Sequence, residues 1–135
     1  MNILRSIGAV TAGLAVIVLL CVLTDALLVA VHLLPSPEAH RPYTLAYLGI
    51  VIFYCAAYTL VGGYVTARLA PIRPVAHAVV LGIVGMALST LGTFHEWQIG
   101  DGWNAITLLA EGLPLCWIGA LIWTQLLRPR VALNP

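Results

Sequence analysis

The chain has 135 residues, of which 61% are hydrophobic and only 8% are charged, and its mean hydropathy is +1.02. A soluble domain of this length needs far more charge on its surface, so the composition predicts an integral membrane protein with a single domain, residues 1–135. The formal net charge of +1 gives no electrostatic basis for binding nucleic acid. The expected partner is the lipid bilayer.

Four apolar runs are each long enough to cross the ~30 Å hydrocarbon core as a helix. They cover about residues 7–34, 43–69, 75–94 and 103–127. The first run is too long for the apolar core of a signal peptide, and no A-x-A cleavage site closes it, so it predicts an uncleaved transmembrane helix. Short polar connections between successive runs predict an all-α, antiparallel four-helix bundle.

The arginines are distributed unevenly between the two ends of this bundle. One end carries Arg5, Arg68, Arg73, Arg128 and Arg130. The other end carries Arg41 alone. By the positive-inside rule this distribution predicts that both termini are cytoplasmic. Tryptophans mark the two interfaces in the same orientation, with Trp97 and Trp103 outside and Trp123 inside.

Polar side chains in three of the four runs fall at one depth. Asp25, Tyr54 and Glu111 lie roughly 12–15 Å from the outer ends of their predicted helices, at 1.5 Å per residue. Tyr58 follows Tyr54 by one turn. A charged carboxyl at the centre of a spanning helix costs about 2.5–3.5 kcal/mol, so we expect both acids to point into the bundle.

Two interpretations of this polar layer remain open. The functional one is a cavity, open to the outside and lined by Asp25, Glu111, Tyr54 and Tyr58, that binds a proton, a cation or a small polar ligand. The structural one is a buried hydrogen-bond cluster that specifies how the four helices pack. Both interpretations predict that the carboxyl groups point inward.

The pattern of histidines and cysteines gives no sign of a metal centre. The histidines form neither an i, i+4 pair nor an HExxH motif, and the cysteines form no CxxC. Cys21, Cys55 and Cys116 are interpreted as small packing residues within apolar helices. Neither a P-loop nor a GxSxG elbow is present. The sequence therefore predicts no metal, no cofactor, no catalytic residues and no enzymatic activity.

The third run carries a row of small residues at three- and four-residue spacing. Gly82, Gly85 and Ser89 belong to it, and such a row lets helix backbones approach closely. We expect the row to pack inside the bundle. The alternative is that it forms the interface of a homo-oligomer or of a larger membrane complex.

A longer stretch resembles a known family. The run GGYVTARLAPIRPVAHAVVLGIVG, residues 62–85, is similar to the signature of a family of small bacterial four-helix membrane proteins of unknown function. A later segment, LPLCWIGALI, and the Asp25 of the first helix fit the same resemblance. It implies a multi-pass protein of the bacterial inner membrane and carries no catalytic assignment.

Two functions from different classes follow. The first is a non-enzymatic packing or accessory subunit, or a self-associating bundle, in which the polar layer is structural. The second is a small proton-linked transporter or ligand-binding protein that uses Asp25 and Glu111 as protonatable groups.

Overall fold

A computed structural model of the chain describes residues 2–34, 44–99 and 102–127, with side chains for residues 3–34, 44–91, 106–107 and 109–126. The described residues form four helices. They are α1 (Asn2–Ala30), α2 (Leu45–Leu69), α3 (Pro74–Ile99) and α4 (Gly102–Leu121), and α4 continues as a π-helical segment, Ile122–Leu127. Each helix is long and apolar enough to cross a membrane. The prediction of an all-α protein with four membrane-length helices is therefore confirmed.

Several expectations from the sequence fall outside the described part of the chain. They concern the loop of residues 35–42 with its Arg41, the side chains of Trp97 and Trp103, and Arg128 and Arg130 near the C-terminus.

Helix α1 begins at Asn2 and ends at Ala30, four residues before the end of the apolar run. A Schellman turn terminates it: the Leu33 N–H donates to the Leu28 carbonyl at 2.9 Å, and the His32 N–H donates to the Val29 carbonyl at 3.0 Å. His32 occupies the left-handed position of this turn, with φ of 60°. The helix therefore stops earlier than predicted, although the run of apolar residues continues.

The connection from α2 to α3 is a tight turn containing two prolines. Pro74 is the first residue of α3, the position where a missing N–H costs nothing. The ring of Pro74 disfavours right-handed helical backbone at Arg73, which has φ of 50° instead. These local constraints reverse the chain and set α3 antiparallel to α2.

One of the main contacts in the bundle joins two helices that are not consecutive in the sequence. Helix α4 packs against both α2 and α3, and α1 packs mainly against α2. Contacts of Cys116 with Thr59, and of Trp123 in the π-helical continuation with Tyr64 and Arg68, show that α2 and α4 are parallel neighbours. Successive helices are antiparallel as predicted, but the bundle also contains this parallel contact.

Small residues allow the close approach of α1, α2 and α4. A Cβ added at Gly13 would overlap the Thr66 side chain, and a Cβ added at Gly63 would lie 2.7 Å from the Cα of Cys116. The buried Thr66 hydroxyl donates to the Ala9 carbonyl at 3.2 Å, which links α1 to α2. The tightest packing therefore involves the first half of α1, the last half of α2 and the last third of α4.

The seam between α1 and α3 is much looser. Leu81 of α3 lies close to Gly13 of α1 and is almost completely buried. On one side of this contact a groove of about 380 Å³ runs between the two helices, lined by residues that include Val10, His77 and Val84. The two helices therefore meet over a short stretch only.

Large apolar side chains cover the outside of the bundle. Leu19 of α1, Phe53 of α2 and Leu91 of α3 are each at least 60% exposed. In hydrocarbon these side chains need no covering, so the inside of the bundle is built from small residues and the outside from large ones.

We predict opposite effects from adding one methyl group at two glycines. Gly63→Ala places a carbon against the backbone of Cys116 and should lower the free energy of unfolding by about 1–3 kcal/mol. Gly85→Ala is the matched control, since nothing lies within 4 Å of its Cβ position, and it should be neutral or stabilising by up to about 1 kcal/mol. The measurement is reversible unfolding in mixed detergent micelles. Equal losses in the two variants would contradict this account of the packing.

Candidate ligand-binding cavity

A cavity of about 250 Å³ lies between the four helices, next to the close contacts that α1, α2 and α4 make around Gly13, Gly63 and Thr66. All four helices contribute walls, and most of the lining surface is apolar. The lining residues are Leu14, Ile17, Val18, Cys21, Cys55, Thr59, Leu81, Gly82, Gly85, Met86, Leu88, Ser89, Glu111, Gly112 and Cys116. The space exists partly because α3 presents Gly85 there, and no atom of another helix fills the position of its missing side chain.

Among the described residues, Glu111 is the one carboxylic acid in this lining. Its Oε1 atom is buried and has no hydrogen-bond partner among the described residues. A buried polar atom without a partner costs about 1–3 kcal/mol, and more when the group is charged. Glu111 is therefore the side chain in the cavity with the most to gain from a ligand or a proton.

The cavity has an opening between α1 and α3. Val18 on one wall is 49% exposed and Leu88 on the facing wall is 48% exposed, although both line the cavity. Val18 lies near the middle of the membrane-length part of α1, Ile3–Ala30. In a bilayer this opening faces the hydrocarbon. Sequence reasoning predicted a polar cavity open to the outside, and the described cavity is mainly apolar with a lateral opening.

The other three residues expected in this cavity form a separate cluster between α1 and α2. The Tyr54 hydroxyl donates to the Asp25 carboxylate. One turn away, the hydroxyls of Thr24 and Tyr58 share a hydrogen bond of 2.8 Å. The rings of Tyr54 and Tyr58 lie 5.8 Å apart. Asp25, Tyr54 and Tyr58 are not among the residues that line the cavity.

Asp25 also lies nearer the end of its helix than the sequence suggested. Because α1 ends at Ala30, only five residues, or about 7.5 Å of helix, separate Asp25 from that end. Its side chain is exposed on one side and bonded to Tyr54 on the other. Asp25 therefore faces the edge of the α1–α2 contact, whereas Glu111 points inward as predicted.

The small residues of α3 divide between packing and the cavity. Gly82 packs against α4, with its Cβ position 3.0 Å from the Cα of Leu113. Gly85 and Ser89 line the cavity. Of the two glycines among the three residues predicted to pack helices, Gly82 is in close contact with a neighbouring helix and Gly85 is not.

Sequence reasoning missed the meeting of two cysteines. The Sγ atoms of Cys21 on α1 and Cys55 on α2 lie 3.7 Å apart, and both residues line the cavity. Cys116 lies on the α4 wall, with its thiol directed at the Thr59 carbonyl at 3.9 Å. The sequence contained a signal for this pair. Cys55 adjoins Tyr54 and Cys21 precedes Asp25 by one turn, so a contact between Tyr54 and Asp25 brings the two cysteines close together.

The fold and the cavity define a class: a small α-helical bundle of membrane-spanning length with an internal, mainly apolar site that contains one carboxyl group. Comparison with known proteins takes this no further, since no family model, no curated protein and no solved structure matches the chain. The resemblance seen in residues 62–85 stays a prediction.

We predict that the two tyrosine hydroxyls differ in their contribution to stability. Tyr54→Phe removes the donor to the Asp25 carboxyl group and should lower the free energy of unfolding by up to about 1.7 kcal/mol, the upper end for hydrogen bonds between membrane helices. Tyr58→Phe removes a bond between neutral hydroxyls, worth about 0.6 kcal/mol between membrane helices.

The measurement is again unfolding in mixed micelles, extended to a double-mutant cycle with Asp25→Ala. A coupling energy near zero between positions 25 and 54 would show that this bond does not hold α1 to α2.

Proposed function

We propose that this protein binds a small lipophilic cation in the cavity between its helices, in exchange for a proton on Glu111. The observation that carries the proposal is the buried Oε1 atom of Glu111, which has no partner among the described residues and lies in the wall of a cavity of about 250 Å³. A small organic molecule with an apolar body and one positive group supplies what this cavity lacks.

The charge of the ligand follows from the electrostatics of the site. With the cavity empty, a proton keeps Glu111 neutral, because an isolated carboxylate in apolar surroundings is strongly disfavoured. A bound cation replaces that proton and pairs with the carboxylate. One positive charge enters as another leaves, so the net charge of the cavity stays unchanged.

The apolar body of the ligand follows from the walls and the opening. Leu14, Ile17 and Leu81 form aliphatic walls, and Val18 and Leu88 flank an opening that faces lipid. A ligand that dissolves in the bilayer can enter by this route without crossing a polar surface. A hydrated inorganic ion would have to lose its water first.

We predict that N,N′-dicyclohexylcarbodiimide, which reacts with protonated carboxyls in apolar surroundings, modifies Glu111. Benzyltrimethylammonium should protect it, and neopentylbenzene, the uncharged molecule of the same shape, should not. Peptide mass spectrometry of the purified protein locates and quantifies the modification. Glu111→Gln is the control for the site, and its affinity for the cation should fall at least about tenfold, or ~1.4 kcal/mol.

Asp25→Asn is the matched carboxyl control, and it should leave the modification and protection of Glu111 intact. If neopentylbenzene protected Glu111 as well as benzyltrimethylammonium does, the positive charge of the ligand would not be needed for binding, and that part of the proposal would be wrong. An unmodified Glu111 in the folded protein would overturn the proposal itself.

A packing or accessory function is the second candidate, and it accounts well for the Asp25–Tyr54 and Thr24–Tyr58 pairs. One further observation favours it. Gly8, Thr11 and Ala15 are exposed on the outer surface of α1, where a partner helix could approach closely.

We also propose that the protein lies in a bacterial inner membrane with both termini in the cytoplasm. The Thr66–Ala9 hydrogen bond brings the start of α1 beside the end of α2, so Arg5, Arg68 and Arg73 lie at one end of the bundle. Arg68 lies over the ring of Trp123, 5.8 Å from its centroid, in a pairing suited to a membrane interface.

We predict that green fluorescent protein fused after Pro135 fluoresces in bacterial cells, because it folds in the cytoplasm. Alkaline phosphatase at the same position should be inactive, because it needs the oxidising periplasm. A phosphatase fusion in the 35–42 loop is the matched positive control. The reverse pattern would place the arginine-rich end outside.

A further inference from the structure

Two thiols from different helices meet in the cavity wall. The Sγ atoms of Cys21 and Cys55 are 3.7 Å apart, and neither cysteine is in a disulfide. Both are partly exposed, whereas Cys116 is buried. A metal–thiolate bond is about 2.3 Å long, so two sulfurs bound to one ion lie no more than about 4.6 Å apart. The observed separation is about 0.9 Å shorter than that of a linear arrangement, so the two thiols must rotate slightly apart to hold a two-coordinate ion.

The surroundings select the kind of ion. Among the described residues, no three His, Cys, Asp or Glu side chains converge where a metal could bind. Zinc and iron–sulfur clusters require about four such ligands, so neither fits. Cu(I) prefers soft sulfur donors and is stable with two of them.

We propose that Cys21 and Cys55 form a two-coordinate Cu(I) site. Binding breaks two S–H bonds, forms two Cu–S bonds and releases two protons to the buffer, and the copper remains Cu(I) throughout. This inference goes beyond the exchange at Glu111 and does not depend on it, because that carboxyl is not a ligand.

The test uses the purified, fully reduced chain in detergent without oxygen, and Cu(I) supplied as its bathocuproine disulfonate complex. The loss of the chelator's absorbance reports transfer of copper to the protein. One Cu(I) per chain is expected. Cys21→Ser and Cys55→Ser should each weaken binding at least a hundredfold, whereas Cys116→Ser, the matched cysteine control, should change it less than threefold.

X-ray absorption on the copper-loaded wild-type protein keeps the proposal falsifiable if a serine variant fails to fold. Two sulfur neighbours and no nitrogen or oxygen neighbour are expected. Failure of the wild-type chain to take copper from the chelator would overturn the site, as would an equal loss in Cys116→Ser. Glu111→Gln should still bind Cu(I), so a failure of the cation exchange and a failure of the copper site are distinguishable.

Discussion

The close approach of helix backbones at one end of the bundle is the constraint on which the rest of the structure depends. Lipid is as apolar as the side chains that face it, so helices in a bilayer gain little from hiding those side chains from water. They associate where small residues permit dense contact. Gly13 against Thr66, Gly63 against Cys116 and Gly119 against Leu60 supply that contact here.

The cavity follows from the same constraint. Leu113 of α4 occupies the space beside Gly82 of α3. One turn later, the space beside Gly85 is empty and belongs to the cavity. A row of small residues therefore has two effects in one helix: it joins helices where a neighbour reaches it, and it leaves room where none does. Since α1 and α3 touch mainly through Leu81, the room opens sideways between them. The contact between α1 and α3 therefore contributes little of the packing.

The polar residues divide according to whether they find a partner. Asp25 and Tyr58 are bonded to side chains on the adjacent helix, and in hydrocarbon a satisfied hydrogen bond between helices contributes to packing. Glu111 has a buried oxygen with no such partner among the described residues. The bonded residues Asp25 and Tyr58 are therefore suited to holding helices together. Glu111 is suited to a site that binds and releases a ligand.

Much of this could be predicted from the sequence, because spans and turns are local properties. Run lengths gave the number of helices, and the two prolines around Arg73 gave the reversal between α2 and α3. Depth was predicted only in part, because the 12–15 Å expected for Asp25 assumed a helix that continues to Leu34, and α1 ends at Ala30. Depth alone does not say which way round the bundle a side chain points, and of the two acids expected in one cavity only Glu111 is among its lining residues.

The arrangement of neighbours is what the sequence could not supply. Short loops make successive helices antiparallel, but they do not decide whether α4 lies beside α1 or beside α2. The parallel contact of α2 with α4 depends on Gly63 and Gly119 matching the backbone of the other helix, a fit between surfaces that neither helix reveals alone. For the same reason, the sequence did not predict that the thiols of Cys21 and Cys55 meet. Cys21 and Cys55 each look like small packing residues, and only the register of α1 on α2, fixed by the crossing at Gly13 and Thr66, brings their sulfurs together. The crossing at one end of the bundle thus sets the chemistry available in the cavity beyond it.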